Sequence, residues 1–358
     1  MDVTLVDLSD SAQRRRYENL FEACPWAFIQ QSALWADCIS EIGPDTPLFL
    51  LCSEAGQDLA GLPLYFFKSP SGSILTSVPQ PGPLGGIFVR SGLDAPRRER
   101  AYASLLTFAR ALADRQGCLA LSLITNPLDD DLALYKSYLR PSYTFQNFTQ
   151  YIPLDQSVRR SGGQRNSLAR ARRFGFLVEE CRSEEDFAAW CELHRRRHAQ
   201  LGAVPLDPRL LGNIFRILVP RRKALLLLAR DGNRLAAGSL YVHHQKVMDV
   251  FAISMDTAYQ EHAPNALLAD HSQAWATRAG LAVYNWQSSP SRASGVYAYK
   301  RQWGSREALY HFVTLVLGPA DRIAQLGMEG LRNAYPSHYV APFGVFEKGF
   351  GVSEFQKP

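Results

Sequence analysis

The sequence predicts an α/β fold with mixed sheets, built as two similar units in tandem, and three observations carry that expectation. The first is a repeated segment. Ser53-Glu54-Ala55-Gly56-Gln57-Asp58-Leu59-Ala60-Gly61-Leu62-Pro63-Leu64-Tyr65 has a counterpart in Ala229-Arg230-Asp231-Gly232-Asn233-Arg234-Leu235-Ala236-Ala237-Gly238-Ser239-Leu240-Tyr241 at a constant offset of 176. Gly56/Gly232, Leu59/Leu235, Ala60/Ala236, Leu64/Leu240 and Tyr65/Tyr241 coincide. The second is what precedes each copy: an apolar run, Leu48-Phe49-Leu50-Leu51 or Leu225-Leu226-Leu227-Leu228, so each reads as strand, glycine turn, strand. The third lies downstream. An amphipathic segment, 102–116 or 265–279, ends at Gly117 or Gly280 and runs into Cys118-Leu119-Ala120-Leu121 or Leu281-Ala282-Val283-Tyr284. Helix, terminal glycine and short apolar strand form the αβ half of a mixed sheet.

The 358 residues suffice for about two domains. The repeat sets them at 1–150 and 151–318, with a helix and tail over 319–358 expected to return to the first domain. Between the copies, a basic helix over 164–174 ends at Gly175 and leads into Phe176-Leu177-Val178. Positions 187, 190 and 193 place apolar residues at helical spacing within 184–200. Ser183 is the expected N-cap there, with Glu185 and Asp186 in the first turn. Further helices are expected over 208–218 and 321–333.

Composition excludes several classes. Hydrophobic residues make up 46% and charged residues 20%, the profile of a chain with a sizeable core rather than a disordered one. No stretch approaches the roughly 18 consecutive apolar residues of a membrane span. The start, Met1-Asp2-Val3-Thr4, soon meets Asp7, Asp10 and Arg14-Arg15-Arg16, which does not read as a secretory signal. Six scattered cysteines without a C-x-x-C pair are expected to be reduced thiols of a cytoplasmic protein. Net charge is −4 over residues 1–150, +8 over 151–300 and +1 over 301–358, which sums to +5. An acidic half joined to a basic half suggests a polyanion or phosphate partner for the second, although an arginine-rich solvated helix face accounts for the same excess.

Few residues carry recognisable chemistry on their own. No nucleophile elbow, P-loop or G-x-G-x-x-G loop is present. His194 and His198 stand four apart on a helix, a zinc-ligand spacing, but three arginines lie between them and no Glu follows the first. No metal is expected. His243 and His244 adjoin on a strand and point to opposite faces.

Taken in order, these segments resemble the FemABX-type transferases, a family of two tandem GNAT-like acyltransferase domains. Arg165-x-x-Leu168-x-x-Ala171-x-x-x-Gly175-Phe176 is similar to that family's R-x-x-I-x-x-A-x-x-x-G-V start of the second domain. Pro264-Asn265-Ala266-Leu267-Leu268 is similar to its P-x-x-L-L helix start. Tyr284-Asn285-Trp286 followed by Tyr299-Lys300-x-x-Trp303-Gly304 is similar to Y-D-F-G followed by F-K-x-x-F/W-G. The sequence departs from the pattern at Asn285, where the family usually has Asp. The resemblance implies transfer of an acyl group to an amine, with Lys300 serving the catalytic site beside Tyr299. A cation close to the reacting carbonyl stabilises the oxyanion that appears in the transition state. Arg165, with Arg170 and Arg173 of the same helix, is expected to grip phosphate. Tyr241 and Phe251 are expected to line the cleft, against the alternative that they are core.

Two acyl donors fit that chemistry: aminoacyl-tRNA and acyl-CoA (or an acyl carrier). A CoA-binding GNAT domain presents a glycine-rich helix start whose N–H groups hold pyrophosphate. Tyr259-Gln260-Glu261-His262-Ala263-Pro264 offers no glycine, a proline without a donor, and a repelling carboxylate. Gln80-Pro81-Gly82-Pro83-Leu84-Gly85-Gly86 resembles such a loop only superficially. This favours tRNA as the partner and aminoacyl-tRNA as the donor, with no other cofactor. The acceptor is expected to be the amine of a small molecule or peptide. A non-catalytic phosphate- or RNA-binding relative is the third class left open.

Overall fold

The computed structural model describes residues 1–77, 79, 85–156, 159–336 and 338–340. They divide into two compact units. The first takes in Met1–Ala36, Gly43–Asn147 and the residues from Leu309 onward, the second Asp37–Ile42 and Phe148–Ala308. All six cysteines carry free thiols. Among the described residues, no helix is long and apolar enough to cross a membrane.

Both repeated segments are β-hairpins. In the first unit Phe49–Glu54 pairs antiparallel with Gln57–Leu62; in the second Ala224–Asp231 pairs with Arg234–His244. Each hairpin turns over two residues, Ala55-Gly56 or Gly232-Asn233, and the positive φ of Ala55 (49°), Gly56 (78°) and Gly232 (54°) supplies the tight reversal. Each also carries a bulge near its turn, leaving Leu59 or Ala236 without an opposite residue.

This pairing corrects the register of the repeat. Glu54↔Gln57 corresponds to Asp231↔Arg234 and Leu51↔Gly61 to Leu228↔Gly238, so the structural offset is 177 (231 − 54), not 176. The reason lies on the faces of the hairpins. A Cβ built on Gly61 would stand 2.4 Å from the Phe88 ring, and one on Gly238 2.3 Å from Trp190. Both glycines therefore admit an aromatic ring against the backbone at the same ladder position.

In the first unit the hairpin lies in a four-stranded sheet ordered Asp2–Val6, Phe49–Glu54, Gln57–Leu62, Phe88–Val89. A second ladder joins Ile74–Thr76 parallel to Ala120–Ile124, which pairs antiparallel with Phe312–Val316. Helix Ala95–Arg115 packs Leu105, Leu106 and Ala109 on the hairpin core. The helix Ala320–Ala334, bent at Gly327, contributes Ile323 and Leu331 to a cluster with Phe67, Ile74 and Leu119. The tail beyond 340 and residues 80–84 of the glycine-containing segment lie outside the described residues.

In the second unit Leu177–Glu180, Ala224–Asp231, Arg234–His244 and Val247–Met255 form an antiparallel run. Val283–Asn285 then joins parallel to Val247–Met255, and the end of Tyr143–Pro153 pairs antiparallel with it. Helices Gly162–Phe174 and Pro264–Arg278 cover one face, burying Leu168, Ala171, Leu267 and Leu268 with Leu225, Leu227 and Met248. Helix Glu184–Gln200 places Trp190 against Gly238, and Ser183 caps it by accepting from Asp186 N at 3.1 Å. The two units end their long helices alike: Cys118 N donates to Ala113 O and Leu281 N to Ala276 O, with Gly117 and Gly280 left-handed between.

Gly238→Ala should therefore force Trp190 or the hairpin to move and cost about 1–3 kcal/mol, as overpacking does. The expected readout is a lower urea midpoint with an unchanged slope. An unaltered midpoint would show that the ring yields freely.

Candidate active site

The second unit's sheet opens where two parallel strands part. Val247–Met255 and Val283–Asn285 share only three pairs, Val247↔Val283, Met248↔Tyr284 and Asp249↔Asn285. Beyond them Val247–Met255 continues with Arg234–His244, through a bulge that leaves Phe251 without an opposite residue. The other chain turns to a different neighbour: Trp286 N donates to Gln150 O at 2.7 Å and Gln150 N to Gln287 O at 3.4 Å. Gln287 takes a left-handed φ of 63°. A wedge between diverging parallel strands exposes main-chain edges to a ligand.

Lys300 holds the turned chain from behind. It lies on the short helix Gly295–Gln302, capped by Ser294, and is only 6% exposed. Its Nζ donates to Gln287 O at 2.9 Å and Ser288 O at 2.7 Å. Burial without a carboxylate partner pushes its ammonium down to about 8. An ammonium has three donors, so two carbonyls leave one N–H for a further acceptor. The sequence suggests a cleft lysine whose removal would hardly affect folding. That expectation is corrected: Lys300 is buried and satisfies two main-chain carbonyls, and a lost buried partner costs about 1–3 kcal/mol.

A buried polar network frames it. Gln150 Nε2 donates to Tyr297 O and Ser305 Oγ, each at 3.2 Å, while Gln150 Oε1 accepts from Ser289 Oγ at 2.7 Å. Thr149 Oγ1 donates to Asn285 Oδ1, and Asn285 Nδ2 to Asp249 Oδ1, each at 2.6 Å. Arg292 and the Tyr297 hydroxyl converge on Glu307 and hold its carboxyl below the usual range. Sequence reasoning did not single out Asp249, Gln150 or Thr149. The signal available for Asp249 was a carboxylate in the middle of an apolar strand.

Tyr241 and Tyr299 belong to one chain of rings. Tyr241 neighbours Tyr284 (6.1 Å between centroids), Tyr284 neighbours Trp286 (5.1 Å), and Trp286 meets both Tyr299 (5.9 Å) and Trp303 (6.0 Å). Tyr241 is 1% exposed and its hydroxyl donates to Leu268 O at 3.4 Å, so it stands in the core under the helix rather than on an open wall. Burial pushes the Tyr299 phenol up to about 12. Phe251 is half-buried at the bulge beside the wedge. Arg165, Arg170 and Arg173 are exposed on helix Gly162–Phe174, and Arg165 Nη1 donates to Arg160 O at 2.9 Å. They are not brought to Lys300 by any hydrogen bond of this network.

The histidines are engaged in structure. His194 Nδ1 lies 2.9 Å from Ser254 Oγ and Nε2 accepts from Leu206 N at 3.2 Å, which leaves no lone pair for a metal. Burial, with His198 beside it, pushes His194 down to about 4. His243 packs edge-on against Trp275 and is likewise pushed down to about 4 by burial.

Asn285→Asp tests the Asp249 contact. Two carboxylates at 2.6 Å hold one proton between them, so the folded pair titrates above the ordinary Asp range near 3.9. The folded state then binds more protons than the unfolded one above that range, so stability falls as pH rises through the raised value. Melting of Asn285→Asp should approach the parent at about pH 4 and drop away toward neutrality. Parallel pH profiles for the two proteins would remove Asp249 from contact with position 285.

Residues 157–301 match the family model for the acetyltransferase (GNAT) domain. No curated protein matches the sequence. Among solved structures, FemX superposes with a TM-score of 0.71 at 14% identity, covering 91% of this chain and 99% of its own. L-PGS from Bacillus licheniformis superposes at 0.58 and 12% identity, covering 90% and 96%. A tandem GNAT protein from the clavulanic acid biosynthesis pathway superposes at 0.53 and 14% identity, covering 89% and 99%. At these identities the likeness is one of fold, and the matched domain adds the enzyme class. Residues 157–301 thus carry a GNAT acetyltransferase domain, which places the protein among enzymes of the transferase class, and the chain as a whole has the fold of FemX and of a tandem GNAT protein.

Proposed function

We propose that the protein forms an amide by transferring an aminoacyl group from aminoacyl-tRNA to the amine of a small-molecule or peptide acceptor. The observation that carries this reading is Lys300, a buried ammonium with two of its three donors fixed on Gln287 O and Ser288 O at the parting of the strands. The acceptor's amine nitrogen attacks the ester carbonyl carbon, and the carbonyl oxygen gains negative charge. Collapse of that intermediate breaks the ester C–O bond, and the proton lost by the amine ends on the released ribose hydroxyl. The remaining N–H of Lys300 is the donor for the oxyanion. Because the ammonium is already held, little reorganisation is needed as charge develops.

Support for tRNA comes from the helix that would otherwise take a pyrophosphate. Helix Pro264–Arg278 begins with a proline, follows a left-handed Ala263 at φ 56°, and has no side-chain cap. The first amide donor is missing, and Ala266 N is bonded to Ala263 O at 3.0 Å. Exposed Arg165, Arg170 and Arg173 supply cations for a nucleic-acid backbone. The second reading, an acyl-CoA-dependent N-acyltransferase, is favoured by the family model matched at 157–301, an acetyltransferase domain.

Charged tRNA and acetyl-CoA, offered in parallel with and without RNase, separate the two. Consumption of aminoacyl-tRNA that RNase abolishes and salt weakens steeply is the expected result. RNase-insensitive turnover of acetyl-CoA would install the second reading. With the productive donor, Lys300→Ala should lower turnover by about two to three orders of magnitude when assayed well below its reduced melting temperature. The parent's rate should fall as pH rises through about 8, where the ammonium is lost, and Lys300→Ala should lack that limb. Near-parental turnover of Lys300→Ala would leave the lysine with its carbonyl-holding role alone.

A further inference from the structure

The second unit holds a cavity of about 220 Å³ whose lining includes neither Lys300 nor the two carbonyls that hold its ammonium. Asp270 and Gln273 line it from one face of helix Pro264–Arg278, around the middle of that helix. Ile152 and Leu154 close it from the end of strand Tyr143–Pro153, Arg160 comes from just before helix Gly162–Phe174, and Trp303 forms the remaining wall.

Its polar groups do not balance. Asp270 accepts from Arg160 Nη1 at 2.6 Å and from Arg172 Nη2 at 2.8 Å, so two guanidiniums face one carboxylate. Arg160 is held flat over Trp303, 4.8 Å from the ring centroid. Its Nη2 reaches Gln273 Oε1 at 3.5 Å, which turns the amide nitrogen of Gln273 the other way. Gln273 is 8% exposed, and its Nε2 is buried with no protein partner. Buried donors without acceptors are costly and rare, so the site calls for an acceptor from outside the chain. A surplus positive charge beside them selects a negative one.

We propose that this cavity binds a small organic anion, its carboxylate or phosphate head received by Gln273 Nε2 and Arg160 and its apolar body resting on Ile152 and Leu154. At about 30 Å³ per water the space holds roughly seven, enough for such a head and a few carbon atoms. The proposal is independent of the acyl donor, because Gln273 and Arg160, which receive the anion, are not among the hydrogen-bond partners of Lys300.

Calorimetric titration of the full chain tests it with three probes: isobutyrate, inorganic phosphate and neutral isobutyramide. One anion should bind saturably at one per chain, and whether it is isobutyrate or phosphate identifies the head group. Isobutyramide should bind at least about tenfold more weakly. Gln273→Glu, which keeps the acceptor for Arg160 but places a carboxylate where the anion sits, should weaken binding by about tenfold or more. Gln273→Leu, which removes the donors without adding charge, guards against a folding defect in that variant and should also weaken it. No saturable heat with either anion, equal affinity for the neutral amide, or both Gln273 variants binding like the parent would each overturn the proposal.

Discussion

The second unit is organised around a ladder that stops. Two parallel strands pair at Asp249/Asn285 and no further, and every main-chain group past that point needs another partner. Trp286 N finds Gln150 O, Gln287 O takes Gln150 N and Lys300 Nζ, and Ser288 O takes Lys300 Nζ as well. Had the ladder continued, no wedge would exist and Lys300 would have no carbonyls to hold. The same ammonium thus serves the main chain where the ladder is interrupted. Structure and chemistry are coupled there, which is why a substitution at Lys300 has to be read in stability and in rate together.

Much of this scaffold was legible in the residues. Apolar runs flanking Gly56 and Gly232 marked both hairpins, and Gly117, Gly175 and Gly280 marked helix ends that are left-handed in the structure. The 176-residue offset slipped by one because it was set by residue identities, from Gly56/Gly232 to Tyr65/Tyr241, rather than by strand pairing. Strand pairing instead aligns Gly61 with Gly238, where rings from Phe88 and Trp190 press on the backbone. That constraint is invisible without the partner ring. Lys300 was legible through its motif neighbours Tyr299 and Trp303, but not its carbonyl partners, since the left-handed Gln287 is not a residue that announces a turn. Thr149, Asp249 and Asn285 meet from three strands far apart in the chain, and nothing in any one segment marks the meeting.

The charge excess also reads differently once side chains are placed. Several arginines of residues 151–300 are paired with carboxylates: Arg160 and Arg172 on Asp270, Arg230 on Glu179 and Asp186, Arg196 on Asp256, Arg292 on Glu307. The more exposed of these pairs contribute little to stability, about 0–1 kcal/mol. All of their carboxylates but Glu307 are already subtracted in the net +8, so the excess resides mainly in the remaining cations. Arg165 and Arg170 bond a carbonyl and a hydroxyl instead, on an exposed helix face, so they keep their full charge toward solvent. Helix Gly162–Phe174 is thus one exposed basic face among several, since Arg221, Arg222, Arg234 and Arg278 are exposed elsewhere in the unit.

Asn285 ties two side chains together at the last rung of the parallel ladder. Where the resemblance leads one to expect Asp, an amide both accepts from Thr149 Oγ1 and donates to Asp249 Oδ1. A carboxylate at 285 could accept from Thr149 but could not donate to Asp249, and the two negative charges would oppose each other across the last rung of the ladder. The amide therefore fits only because the carboxylate stands on the adjoining strand. The negative group at the parting of the strands is Asp249, and Asn285 fixes its orientation across the last rung of the ladder.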